Sequence, residues 1–398
     1  MDKVITDKQK IDELLVRGVE EIFVKEELQK ALLSGKQLRI KLGIDPTGPK
    51  IHLGRAIPLR KLREFQKLGH QVILIVGDFT AQVGDASDKS DKRPMLTRAL
   101  IDENLRDYKS QISKILDISK TEFVYNSDWL SKLSFEEVTK LAECFSVQQM
   151  LARRNFKDRY EKGVEISLRE FLYPMMQGYD SVAVKADVEL GGFDQLFNLK
   201  AGRVLQEYFG QPKQSIFTCQ MLEGTDGRKM SSSWGNIIAI VDDPNTMFGK
   251  VMSLHDDLII KYFTLCTDVS LKDIENLEKD LKNGTNPKDI KMRLGVELVT
   301  LYHTEKDATL AKNSWIETFE KGGVPDTIQE IITTDDKELA DILVEAGIVT
   351  SKTDWRRLIQ EGAVNDVEKG EIQDPKTLAY NVTLKIGKKR FVKVIINP

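Results

Sequence analysis

Residues 41–56, KLGIDPTGPKIHLGRA, constrain the fold more than any other part of the chain. Residues 37–44 are aliphatic and of strand length. Asp45, Pro46, Gly48 and Pro49 then break the chain into a loop. From Leu53 a helical pattern begins, with Leu59, Leu62, Phe65 and Leu68 on one stripe, and a second aliphatic run, QVILIVG, follows at residues 71–77. Strand, turn, helix, strand is the unit of a parallel α/β sheet, whose ligands sit where strands end and helices begin. This turn carries Asp45, Thr47, His52 and Arg55. A helix N-terminus offers unpaired N–H groups and partial positive charge, so a hydroxyl, an imidazole and a guanidinium beside it suit phosphate.

Exclusion narrows the kind of nucleotide site. No GxGxxG follows a strand, and the P-loop pattern fails because Pro49 stands where its lysine should be. Proline also lacks the amide that a phosphate cradle uses. The chain has 398 residues, room for two or three domains, and its net charge of −3 excludes an overall electrostatic grip on nucleic acid. Any such contact must come from local basic patches. Cys144, Cys219 and Cys266 form no CxxC pair, which argues against a disulfide framework or zinc site and for a cytoplasmic setting. The N-terminus has no signal-peptide core, and no stretch approaches the apolar length of a membrane span.

Along the chain, residues 11–34 read as helical, ending at Gly35, and residues 96–117 as one long helix. Residues 121–125 and 182–188 read as strands. After Gly77-Asp78-Phe79-Thr80 a polar loop over residues 81–93 follows the second strand, where it could reach a ligand or simply be solvated. Residues 128–162 read as helical with a basic cluster, Arg153, Arg154, Lys157 and Arg159. From Met247 onward the periodicity is helical, with Asn286-Pro287 a helix start and residues 333–338 a linker. In the tail, Ser351 and Asp354 form a capping box, and strands carrying Lys385, Lys388, Lys389, Arg390 and Lys393 end the chain. A small basic module on an acidic body suits a reader of structured RNA.

Four separated patches agree in order with one family. His52-Leu53-Gly54-Arg55 resembles the HxGH segment of class I aminoacyl-tRNA synthetases, and Lys229-Met230-Ser231-Ser232-Ser233 their KMSKS loop. Tyr173, Gln177 and Asp180 resemble the YxxxQxxD element of the tyrosyl-tRNA synthetases, and Gly191-Gly192-Phe193-Asp194-Gln195 their GGxDQ turn. The tail from Leu339 resembles the S4-like RNA-binding domain of the bacterial enzymes. The resemblance covers essentially the whole chain.

It implies a tyrosine–tRNA ligase. Tyrosine's carboxylate attacks the α-phosphate of ATP, and the tyrosyl group of the adenylate passes to the 3′ end of tRNA(Tyr). Magnesium accompanies ATP, and no permanently bound cofactor or metal is implied. Thr47, His52, Arg55 and Lys229 would serve the chemical step; Gly43, Asp45, Gly54, Gly192, Asp194, Met230, Ser231 and Ser232 would line the ATP site. Lys41, Asp78, Tyr173, Gln177, Asp180 and Gln195 would bind tyrosine, with Asp180 accepting from the phenol. Arg153, Arg154, Lys352, Arg356, Arg357, Lys388 and Arg390 would meet tRNA. The implied architecture is a Rossmann-like α/β catalytic domain over 1–235 with a helical insertion at about 128–169. A helical anticodon-arm domain over 236–332 and a small α+β S4-like domain over 333–398 would follow, in a homodimer.

Three residues depart from the family pattern: Arg55 for the second histidine of HxGH, Ser232 for the second lysine of KMSKS, and Lys41 for a tyrosine that shares the substrate hydroxyl. Arg55 and Ser232 leave open a catalytically weak RNA-binding paralogue. A synthetase of different amino-acid specificity is the other alternative.

Overall fold

The computed structural model describes residues 3–85, 95–320, 328–387 and 390–396. Lys388 and the side chains of Arg154 and Ser233 therefore lie outside the described residues. The chain divides into two compact units, Met1–Asp243 with Lys250–Tyr302, and Pro244–Gly249 with His303–Pro398.

The first unit is built on six strands: β1 (Val19–Phe23), β2 (Arg39–Ile44), β3 (Gln71–Val76), β4 (Thr121–Tyr125), β5 (Val188–Gly192) and β6 (Ser215–Cys219). They lie in the order β1-β6-β5-β2-β3-β4. Five run parallel, and only the edge strand β1 is antiparallel, against β6. Helix α1 (Leu53–Lys67) connects β2 to β3, and its Leu59, Leu62 and Phe65 are fully buried. Helix α2 (Leu168–Ala183) leads to β5, and helix α3 (Leu196–Tyr208) from β5 to β6. The α/β expectation holds.

Three local readings change. Residues 11–34 are a helix Lys8–Leu14, the strand β1 and a helix Lys25–Leu33. Gly18, at φ +63°, turns the chain out of the first helix, and pairing with β6 then wins over helical propensity. Residues 96–117 form two short helices, Arg98–Leu105 and Tyr108–Ser113, separated at Asp107, whose φ −106° and ψ 1° are not helical. α2 runs through Ala183, so β5 begins only at Val188, where a parallel strand buried on both faces reads as apolar without alternation. Beyond β6 the first unit adds helices that include Ile259–Cys266 and Pro287–Tyr302, the latter starting at the predicted proline.

In the second unit, α4 (Leu339–Glu345) and α5 (Lys352–Gln360) share an apolar core with a sheet in which β7 (Gln329–Thr333), β11 (Arg390–Ile396), β10 (Val382–Ile386), β8 (Val364–Asp366) and β9 (Gly370–Glu371) lie in that order. Trp355 is fully buried there, its Nε1–H donating to Pro375 O at 2.9 Å. Ser351 caps α5 as expected, but the Asp354 carboxylate reaches back to Thr350 N–H, one residue earlier than a capping box requires. Among the described residues no helix is long and apolar enough to cross a membrane.

Candidate active site

From β2 the chain moves to one side, through α1 to β3 and β4; β5 lies on the other side of β2. Strand order therefore reverses between β2 and β5, and in open parallel sheets the crevice at such a point is the binding site. A cavity of about 670 Å³ opens there, lined at its base by Leu42, Gly43 and Ile44 of β2 and Leu190, Gly191 and Gly192 of β5.

One end of the cleft is cationic and rich in donors. His52 caps α1: its Nδ1 accepts Arg55 N–H at 3.4 Å, so the ring proton belongs on Nε2. Burial, then the charges of Arg55 and Lys229, depress its pKa to about 3, so the imidazole is a neutral donor at physiological pH. The Arg55 guanidinium donates to Tyr108 Oη (2.9 Å) and to Thr47 Oγ1, while Tyr108 Oη donates to Gly48 O. Lys229 Nζ reaches across to Asp194 Oδ2 at 3.1 Å. Met230 Sδ accepts Gly54 N–H at 3.4 Å, which ties the 229–232 segment to the start of α1. Asn236 holds that segment's backbone by accepting from Ser231 N–H and donating to Lys229 O.

The other end is anionic. Asp45 accepts from Thr80 Oγ1 and Tyr173 Oη, both at 2.8 Å. Its carboxylate fits because Gly77 faces it, where a Cβ would stand 2.0 Å from Oδ1. Burial and the Asp45 and Asp85 charges raise the Tyr173 pKa, so its phenol stays a donor. Gln195 Nε2 donates to Asp85 Oδ2 (2.7 Å), and its Oε1 accepts from Asn198. At the cleft wall, Asp180 of α2 is 3% exposed; Trp129 Nε1 donates to its Oδ1 at 2.8 Å and Asn126 Nδ2 to its Oδ2 at 3.3 Å. Burial raises its pKa to about 7, with Lys41, Trp129 and Asn126 opposing the rise.

All four sequence patches converge on this cavity: Gly43, Asp45, Thr47, His52, Gly54 and Arg55; Tyr173, Gln177 and Asp180; Gly192, Asp194 and Gln195; Lys229, Met230, Ser231 and Ser232. Two expected tyrosine contacts do not line it. Asp78 is buried behind it, accepting from Ser127 N–H, Ser127 Oγ and Arg98, so its carboxylate is spent on starting the turn after β4. Asp85 stands at the cleft instead. Lys41 lies beneath the site, fully buried and paired with Glu189. The basic cluster at 153–159 is not one solvated face either. Arg153 packs over the rings of Phe156 and Phe197, and Arg159 is buried against Glu170. The tail residues Lys352, Arg356, Arg357 and Arg390 belong to the second unit.

Asp85, Asn126, Trp129 and Tyr108 escaped the sequence reading. Asp85 carries a sequence signal, because it lies within the polar loop over residues 81–93 that could reach a ligand. The other three carried no pattern; only packing makes them partners of Asp180 and Arg55.

The family model for class I tRNA synthetases (W and Y) matches residues 33–320. The curated tyrosine–tRNA ligase of Thermotoga maritima is 44% identical over 386 residues, 96% of this chain and 96% of that one. The tyrosine–tRNA ligase of Carboxydothermus hydrogenoformans is 46% identical over 401 residues, 96% of this chain and 97% of that one. This chain belongs to the bacterial-type tyrosine–tRNA ligase family. The fold agrees with solved synthetases at lower identity. That of Archaeoglobus fulgidus, complexed with L-tyrosine, superposes with TM-score 0.61 at 24% identity, covering 76% of this chain and 99% of that one.

Within this synthetase the departures from the family motifs take definite places. Arg55 anchors Thr47 and Tyr108, so it braces the 45–49 turn where a histidine would be too short to span. Ser232 lines the cleft two residues after Met230, leaving Lys229 and the neighbouring Arg228 as the segment's cations; Arg228 pairs with Asp226 and stacks on Trp234.

Proposed function

We propose that the chain activates L-tyrosine with ATP and transfers it to tRNA(Tyr), with the phosphates at the His52 end of the cleft and the phenol at Asp180. The observation that carries this reading is the position of Asp180. A buried carboxylate of raised pKa, holding two side-chain donors and facing a cavity, suits a neutral hydroxyl donor. The cationic end suits the leaving pyrophosphate.

In this reading the tyrosine carboxylate oxygen attacks the α-phosphorus and pyrophosphate departs. No side chain becomes covalently attached. His52 Nε2–H, Thr47 Oγ1 and Lys229 Nζ meet the β- and γ-phosphates as charge develops, Lys229 leaving Asp194, which turns to the ribose hydroxyls. Gly43, Asp45, Gly54, Gly192, Met230, Ser231 and Ser232 shape the nucleotide side, while Tyr173, Gln177 and Asp85 surround the α-ammonium. Gln195 stands beside the carboxylate. The work is positioning and charge stabilisation. In this reading magnesium accompanies the ATP and is held mainly by its phosphates.

The second unit serves as the tRNA-binding module, with Arg356 exposed on α5 among its candidate phosphate contacts. Phe135, Val147, Tyr160 and Leu168 are large apolar side chains left exposed, which supports a homodimer formed through the 128–169 segment. The setting is the cytoplasm. Tyrosine-dependent ATP–pyrophosphate exchange, run against a panel of amino acids, tests the reading. Exchange with tyrosine alone is expected, and none with any amino acid would overturn it.

A further inference from the structure

Lys41 cannot meet a substrate hydroxyl, because its ammonium is fully engaged beneath the cleft. Nζ lies 2.9 Å from Glu189 Oε1, and donates to Ser181 Oγ at 2.7 Å and Gln177 O at 3.0 Å. Lys41 and Glu189 are register partners across β2 and β5, 0% and 1% exposed. Glu189 in turn accepts from Gln177 Nε2 (3.1 Å), Ser181 Oγ (3.0 Å) and Gln214 Nε2. The room is reserved: a Cβ at Gly202 would lie 2.4 Å from Gln214 Nε2 and 2.7 Å from Ser181 Oγ. Such a buried ion pair is weak evidence for stability by itself, since an apolar pair of similar volume would serve as well.

We propose that Lys41 and Glu189 are a positioning pair that fixes the side-chain amide of Gln177 for recognition of the substrate's α-ammonium. An ionised carboxylate only accepts hydrogen bonds, so the Gln177 atom facing Glu189 must be its NH₂ group. The amide oxygen is thereby turned away from Glu189, and Gln177 lines the cleft. An ammonium group needs acceptors, and a flipped amide would present it with a donor. Lys41 completes the arrangement by pairing with Glu189 and donating to the main-chain carbonyl of Gln177. The inference rests on the proposed tyrosine site.

The test compares L-tyrosine with 3-(4-hydroxyphenyl)propanoate, which lacks only the amino group, by calorimetric binding to the full chain. The paired variant Lys41→Met with Glu189→Gln removes the fixed acceptor without leaving a lone buried charge. Gln177→Met removes the amide while keeping the pair intact. Both variants should weaken tyrosine by about 10- to 100-fold, the range for a hydrogen bond to a charged group. The des-amino analogue should change less than about twofold, and the KM for ATP should hold. Parallel loss of both ligands in the paired variant, or loss of neither, would overturn the pair's role. If the paired variant unfolds, Glu189→Gln alone is read the same way. Failure of the unaltered chain to bind tyrosine would instead remove the site on which the pair depends, and the two failures are told apart by that control.

Discussion

Trp129 Nε1 donates to Asp180 Oδ1 at 2.8 Å, from the turn after β4 onto the inner face of α2. In the proposed function this carboxylate reads the phenol; the bond aims it, and Asn126 donates to the other oxygen. Trp129→Phe should therefore raise the tyrosine KM by about 3- to 10-fold with little change in the KM for ATP. Asp180→Asn should cut discrimination against phenylalanine by at least about 10-fold, because the site then no longer leaves a buried charge unpaired. Exchange kinetics with both amino acids check this.

The raised Asp180 pKa has a stability consequence of definite sign. Folding takes up a proton between the ordinary carboxylate range and about 7. The group's contribution is therefore fully present below the unfolded value and lost as pH rises through about 7. Asp180→Asn should flatten thermal stability across that window, and melting curves between about pH 5 and about pH 8 read it directly.

His52 and His70 act in the opposite direction. Burial lowers their pKa values to about 3 and about 4. Both contribute stability above the unfolded value of 6.5 that is lost as pH falls toward those folded values. His70 Nδ1 accepts Leu38 N–H, and its Nε2 has no partner. His70→Gln, far from the cleft chemistry, should shift the acid unfolding midpoint downward. The exchange rate should show no ionisation of His52 between about pH 6 and about pH 9.

Lys229 and Asp194 hold each other 3.1 Å apart across the cleft. Lys229→Met should lower kcat for exchange by about 10²- to 10³-fold while the tyrosine KM moves little, since in the proposed function the lysine meets charge that develops only at the phosphates. A rise in tyrosine KM with unchanged kcat would contradict that assignment.

In the tail, Lys352 pairs with Asp341, Arg357 with Asp354 and Glu361, and Arg390 with Ile348 O. Neutralising Lys352, Arg356, Arg357 and Arg390 together should flatten the salt dependence of tRNA binding, by roughly 0.7 to 0.9 in slope for each phosphate that the protein no longer neutralises. Pyrophosphate exchange should be unaffected. Filter binding over a salt series measures the slope, and equal loss of both activities would contradict the division of labour.

Residues 37–77 were legible because strand, turn and helix periods are local properties, and the glycines and prolines between them mark the loop. That Asp45, Thr47, His52 and Arg55 of that turn line one cleft was legible for the same reason. Residues 11–34 were misread because a short strand with charged residues declares itself only through its partner β6, about two hundred residues away. Asp78 and Asp85 illustrate the same limit at the site. Both follow β3 in the same connection, and nothing local says which carboxylate turns toward the cleft.

The chain by itself determined the α/β class, the turn bearing His52 and the four patches that mark the family, since each depends on neighbours within a few residues. Tertiary structure decided that Asp85 rather than Asp78 lines the cleft, that Lys41 lies under it with Glu189, and that Trp129 donates to Asp180. Those choices depend on which side chains meet after β2 and β5 pair, and a parallel pair brings together residues nearly 150 positions apart. The energy of burying a charge depends on the partner it finds there.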